Sequence, residues 1–314
     1  MKEKLSINAK NIVAAAALLV AAGSAAWGND IRVGGYLPGY AARNIDFNVI
    51  EGIDELFLFS AQTEADGRLE TSWLDAIPWD KLHPWAEKNG TRLILCVGGW
   101  ERSEHFAAMA SDAESRAAFV QASLAFCREH RLQGIDLDWE FPKNEREEND
   151  YALLLAELRE AFEPEGWSVF VTVSPEQNLT PAAIAAVDAV QIMSYDRGRR
   201  HSTFEAMVGH VDKLLEAGVP EERLVVGLPF YGRRMERLSE AMSYRDILER
   251  FDPPPDADEA GGFFFNGQET IRKKTRFAKE RGLRGVMFWQ LGQDAPGPRS
   301  LLGAIGDEVG ADRP

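Results

Sequence analysis

The chain has 314 residues, 45% hydrophobic and 27% charged, an ordinary globular composition long enough for one large domain or two small ones. Its 50 acidic residues outnumber 35 basic ones and leave a formal charge of −15, which argues against a nucleic-acid partner. The two cysteines, Cys96 and Cys127, form no CxxC pair, so neither a disulfide scaffold nor a zinc ribbon is indicated.

Residues 1–28 read as a secretory signal. Lys2, Lys4 and Lys10 precede an apolar run over 12–22, and small residues follow, with cleavage after Ala26 or Gly28 equally readable. The mature chain, 29–314, is expected to be secreted or periplasmic, a monomer, and free of any membrane association after cleavage. Beyond this segment no hydrophobic run is long enough to span a bilayer.

The remainder alternates short apolar runs with amphipathic stretches. The pattern predicts strands at 31–36, 56–60, 93–97, 134–139, 169–174, 189–194, 224–228 and 285–289, several of them continuously apolar, as in strands buried on both faces. Helical spacing begins at Ser111, where Glu114 three residues on completes a capping-box pattern, and recurs from about Glu145, over 204–215 and over 268–279. Eight strands separated by helices predict a (β/α)8 TIM barrel forming a single domain, with a doubly wound open sheet as the alternative. No glycine-rich phosphate fingerprint follows the first strand, since Gly34-Gly35 precedes Tyr-Leu-Pro, and no cofactor is expected. The segment 251–262, with Pro253-Pro254-Pro255, reads as a surface loop.

The segment Gly134-Ile-Asp-Leu-Asp-Trp-Glu140 carries the chemistry. Strand periodicity of two points Asp136, Asp138 and Glu140 the same way, inward in a barrel, and catalytic groups of such barrels sit at the C-terminal strand ends. Desolvation and mutual repulsion favour retained protons on such a row. Glu140, nearest the mouth, is then expected to be a protonated carboxyl near neutrality, as a general acid must be. Two other readings of these acids are a solvated strand edge and an oxygen-ligated divalent metal site; neither a histidine cluster nor a phosphate loop accompanies them, and no metal is expected. The five histidines are scattered, and no GxSxG elbow is present.

Gln133-Gly-Ile-Asp-Leu-Asp-Trp-Glu140 resembles the DGxDxDxE signature of glycoside hydrolase family 18, the chitinase family. Further segments are similar in order: Leu93-Ile-Leu-Cys-Val-Gly-Gly-Trp100 to the SxGG motif, Gln191-Ile-Met-Ser-Tyr-Asp196 to the MxYD motif, Gly227-Leu-Pro-Phe-Tyr-Gly-Arg233 to the seventh-strand segment and Gly285-Val-Met-Phe-Trp-Gln290 to the eighth. Gln133 and Cys96 depart from the family's Asp and Ser. The resemblance implies a retaining hydrolase of β-1,4 bonds beside N-acetylglucosamine, in which the substrate's acetamido oxygen is the nucleophile. It assigns Glu140 as acid and base, Asp138 to the acetamido N–H, Tyr195 to the acetamido oxygen, Asp136 to support of Asp138 through a shared proton, and Asp196 to sugar hydroxyls. Tyr36, Phe59, Gly99, Trp100, Met193, Tyr231 and Trp289 match groove positions, where aromatic faces stack on sugars. The implied partner is chitin or another N-acetylglucosamine-containing glycan. An endo-β-N-acetylglucosaminidase acting on N-glycans or peptidoglycan, or a non-catalytic carbohydrate-binding protein, are the other readings of the same motifs. Between Arg233 and Gly285 the sequence leaves room for one helix and a loop, too little for the α+β domain some members carry there, so a shallow, open groove is expected.

Overall fold

A computed structural model describes residues 31–310. Eight strands form its centre: β1 (Arg32–Pro38), β2 (Glu55–Thr63), β3 (Arg92–Gly98), β4 (Gly134–Asp138), β5 (Ser168–Val173), β6 (Ala189–Ile192), β7 (Leu224–Pro229) and β8 (Gly285–Trp289). Each runs parallel to its neighbours in chain order, and β1 pairs with both β2 and β8, so the sheet closes into a (β/α)8 barrel. Closure distinguishes it from the open-sheet alternative. The proposed signal segment, 1–28, lies outside the described residues.

Alternation along the strands divides the core in two. On β2, Leu56 and Leu58 point outward to the helices, whereas Phe57 and Phe59 point into the barrel with Tyr36, Ile94, Cys96, Phe170 and Met287. Burying strand residues on both faces explains why these runs read as continuously apolar. Charged residues close the barrel's N-terminal end: Arg284 Nη2 donates to Glu55 Oε1 at 2.6 Å with both side chains buried. Gln133 sits at the same end, where its Oε1 accepts from Leu93 N at 2.9 Å and ties the entry of β4 to β3.

The outer layer contains the expected helices, observed as Ala113–Glu129, Glu145–Phe162, Phe204–Glu216 and Gln268–Glu280, together with Trp79–Asn89, Phe106–Ser111, Pro181–Ala186 and Leu301–Val309. No helix among the described residues is long and apolar enough to cross a membrane. One predicted helix start is corrected. Ser111 ends the preceding helix, its hydroxyl donating to Ala108 O, and Asp112 caps the next by accepting from Ser115 N at 2.9 Å. Asp112 has extended backbone angles, the geometry an N-cap requires.

The interval after β7 is also corrected. It holds a four-stranded antiparallel sheet, ordered Arg237–Ser243, Tyr231–Arg234, Phe263–Phe264 and Glu259–Ala260, and a helix, Tyr244–Phe251. The segment 251–262 is largely irregular, as read from its prolines, but Glu259–Ala260 pairs with Phe263–Phe264. Strands of two to seven residues at an exposed edge carry too little periodicity to be seen in sequence. The small sheet extends the barrel rim and adds no further domain.

Replacing Asp112 with Ala is expected to cost about 1 kcal/mol of stability in urea unfolding, whereas Ser111→Ala should change it by less than about 0.5 kcal/mol. The reverse ranking would restore Ser111 as the cap.

Candidate active site

Strand β4 delivers its acids at three depths. Asp136 is fully buried and accepts from Tyr36 Oη at 2.8 Å and Thr172 Oγ1 at 2.9 Å, with Gln191 Nε2 at 3.4 Å. Burial raises its carboxyl above the ordinary range, opposed by these hydrogen bonds. With the Cys96 thiol, four donors surround this carboxyl and oppose the cost of its burial. Asp136 does not line the cavity above, and its bonds run to Tyr36, Thr172 and Gln191 rather than to Asp138.

Asp138 ends the strand and is only 4% exposed, yet its Oδ1 has no hydrogen-bond partner among the described residues. Burial, then the charges of Glu140 and Asp136, hold its carboxyl well above the usual range. Its main-chain oxygen accepts from Gly99 N at 2.7 Å and Ser103 Oγ at 3.2 Å. The strand therefore stops one residue before the sequence reading placed its end, and Glu140 follows beyond it. Gly98 and Gly99 make this approach possible. Both have φ of +101°; a Cβ on Gly98 would lie 2.3 Å from Asp138 O, and one on Gly99 2.4 Å from the Phe59 ring.

Glu140 is held at its backbone, where its N–H donates to Ser103 Oγ at 2.9 Å. Burial first, then the charge of Asp196, pushes its carboxyl up to about 7, against the lowering influence of Arg197 and the Trp100 backbone N–H. Just below neutrality it is therefore still largely protonated, as expected, but the repelling charge is that of Asp196 rather than of the strand's own acids.

The cavity over these groups measures about 690 Å³. Tyr36, Phe59, Trp100, Asp138, Glu140, Met193, Tyr195, Asp196, Tyr231 and Trp289 all line it, so ten of the residues singled out from sequence converge there. Asp136 lies beneath, and Gly99 shapes the floor against Phe59 and Asp138. Tyr36, Phe59 and Trp289 form one aromatic cluster, with Phe59 set edge-on to Trp289 at 4.6 Å between centroids. Trp100 is 70% exposed and stands at the rim, an exposure a packing role does not explain. Tyr195 is buried, and burial followed by the Asp138 charge raises its phenol well above the ordinary value, so it remains a proton donor.

Asp196 has φ of +61° and is more tightly held than a residue simply awaiting a sugar. It accepts from Tyr231 Oη at 2.8 Å and from Arg233 through both Nε and Nη2, the latter at 2.6 Å, and lies 3.3 Å from His201 Nδ1. Burial would raise its carboxyl, but the bonds from Arg233, with His201 and Tyr231 alongside, outweigh it and hold the group ionised well below the usual range.

Arg102, Arg197, His201, Arg233, Leu238, Ser239, Ala241 and Gln293 line the cavity without having been identified as site residues in sequence. His201 looked like one of several scattered histidines, because only the β6 loop brings it to Asp196. Leu238, Ser239 and Ala241 come from the rim hairpin. The expected bare, shallow groove thus has a wall on this side. Cys96 and Cys127 are both buried free thiols.

Fold and site together define a (β/α)8 barrel whose acids gather under a cavity at the C-terminal strand ends. The model of the glycosyl hydrolases family 18 matches residues 32–294, and the chain belongs to that family. It is 27% identical over 284 residues to chitinase A1 of Niallia circulans, an alignment covering 65% of this chain and 40% of that relative, so the chain spans under half of the relative's length. Among solved structures it is similar to the GH18 chitinase ChiB from the chitin utilization locus of Flavobacterium johnsoniae, with a TM-score of 0.78, 25% identity, and coverage of 89% of this chain and 94% of that one. The chitinase-like agglutinin of Robinia pseudoacacia shares the fold, with a TM-score of 0.75 at 23% identity, covering 88% of this chain and 99% of that one.

The raised Glu140 carboxyl has a consequence for folding. The folded state holds its proton up to about pH 7, whereas the unfolded carboxyl releases it near its ordinary value of 4.5, so this group's cost appears as pH rises through that window. Glu140→Gln is therefore expected to be more stable than the parent at pH 8, by about 2–3 kcal/mol, with the gain vanishing at pH 4. Urea unfolding at the two pH values measures it, and an equal effect at both would contradict the shift.

Proposed function

We propose that the protein is an exported glycoside hydrolase that cleaves β-1,4 bonds beside N-acetylglucosamine, in chitin or its oligosaccharides, with retention and through an oxazolinium intermediate. The observation that carries this reading is the unpartnered, buried Asp138 Oδ1 beneath a Glu140 carboxyl that keeps its proton to about pH 7. An acetamido N–H would satisfy that oxygen, and a buried acceptor without a partner costs about 1–3 kcal/mol until something does.

In this scheme Glu140 donates its proton to the departing glycosidic oxygen. The acetamido carbonyl oxygen attacks the anomeric carbon, with its N–H bound by Asp138 and its oxygen oriented by the Tyr195 phenol. Asp138 stabilises the positive charge that develops on the closing ring. Glu140, now ionised, takes a proton from the water that opens the oxazolinium. Asp136 acts from below through Tyr36 and Thr172, and Asp196 acts through its fixed bonds to Tyr231 and Arg233. The names of the relatives support chitin as the substrate, and the charge and small-residue pattern of residues 1–28 supports export.

The agglutinin's shared fold favours testing a second reading, a carbohydrate-binding protein without turnover. Retention of Glu140, Asp138 and Tyr195 together favours the enzyme. Glu140→Gln is expected to reduce kcat on acetylated chito-oligosaccharides about 100- to 10,000-fold while sugar binding, measured by calorimetry, persists. Unchanged turnover would remove Glu140 as the acid, and a parent protein that binds the oligosaccharide without cleaving it would establish the second reading. Fully deacetylated chitosan should not be cut, because its amine cannot close the oxazolinium ring; efficient cleavage would rule out substrate assistance.

A further inference from the structure

Lys274, on the helix Gln268–Glu280, is fully buried and has no part in the scheme above. Its Nζ donates three hydrogen bonds, to Ser202 O at 2.9 Å, Ser202 Oγ at 2.7 Å and Asn266 Oδ1 at 2.7 Å. These use every proton of an ammonium group, and all three acceptors are neutral oxygens. Asn266 reinforces the contact, its Nδ2 donating to the same Ser202 O at 2.8 Å.

Ser202 is the closing residue of the loop after β6. Its hydroxyl, accepting from Lys274, donates to Ser194 O at 2.9 Å and ties the two ends of the 194–202 segment together. Tyr195 and Asp196 directly follow one end of this tie, and His201 directly precedes the other. Asp196 sits in the left-handed region at φ +61°, uncommon for residues with a side chain though more open to Asp than to most, and its bonds to Tyr231 and Arg233 hold it there. A buried lysine is expensive to desolvate, and burial pushes this one down to about 7; a hydrophobic side chain would fill the same space without that cost.

We propose that Lys274 is a positioning residue: by gripping Ser202 it holds the 194–202 loop in the shape that presents Tyr195 and Asp196 to the sugar. This rests on the hydrolase reading for its catalytic consequence, but not for the clamp itself. The lysine touches neither substrate nor acid. It acts through the hydroxyl and the carbonyl of Ser202, the residue next to His201, which lies 3.3 Å from Asp196.

Two variants test it in the full chain. Lys274→Met removes the donors at similar volume, and Ser202→Ala breaks the tie to Ser194 while leaving the lysine in place. Amide hydrogen exchange read by mass spectrometry should rise about tenfold or more over 194–202 in both, with the barrel strands unchanged. On an acetylated chitotetraose, kcat should fall about tenfold or more in each with KM within about threefold, and the double variant should be no worse than the poorer single, because both break one linkage. Unchanged exchange in the loop overturns the proposal, as does full kcat in an active protein whose loop has loosened, or additive losses in the double variant. If Lys274→Met fails to fold, Ser202→Ala decides by the same readouts. A parent without turnover would defeat the hydrolase reading alone; the exchange measurement over 194–202 would still decide the clamp.

Discussion

Three carboxyl groups in one enclosed strand end repel one another and lose their hydration, and the rest of the site is arranged around this constraint. The barrel resolves it by giving each acid a different environment. Asp136 is surrounded by donors, Asp138 keeps one oxygen without a partner, and Glu140 sits at the mouth with its proton retained to about pH 7. Asp196, close enough to raise Glu140, is itself kept ionised by Arg233. A fixed negative charge thus lies next to a carboxyl that burial keeps protonated, two acids set apart by environment rather than by residue type.

The supporting structure serves this division. Gly98 and Gly99 let the ends of β3 and β4 approach closely enough for the Asp138 carbonyl to be bound from the side, which ends the strand and turns Glu140 toward the cavity. Ser103 links the two, accepting from Glu140 N and donating to Asp138 O. On the opposite side, the rim hairpin brings Arg233 to Asp196 and places Leu238, Ser239 and Ala241 along the wall. Lys274 and Asn266 brace the loop between these parts from behind. The aromatic floor of Tyr36, Phe59 and Trp289 fills the remaining depth with surfaces suited to the C–H faces of sugars.

Most of the site was legible because it comes from strand ends. Period-two alternation marks Asp136, Asp138 and Glu140 without any knowledge of neighbours, and Tyr36, Phe59, Trp100, Tyr195 and Trp289 lie close to ends of strands whose apolar runs are unmistakable. The helix start at Ser111 was misplaced by one residue, because Ser and Asp are comparable caps and only the backbone angles decide which one serves. The rim sheet was missed for a different reason: its strands are short and half exposed, and their pairing is specified by partners distant in sequence.

The alternation of strands and helices, the strand that carries the acids and the direction in which burial moves their protons were already specified along the chain, since all three follow from local periodicity and the cost of enclosing charge; closure of the sheet was not. Tertiary structure alone decided which acid is satisfied and which is left open, that Arg233 and His201 reach Asp196, and that a buried lysine braces the loop holding Tyr195. Those are contacts between segments joined only when the sheet closes, and no spacing along the chain encodes which polar atoms will then meet.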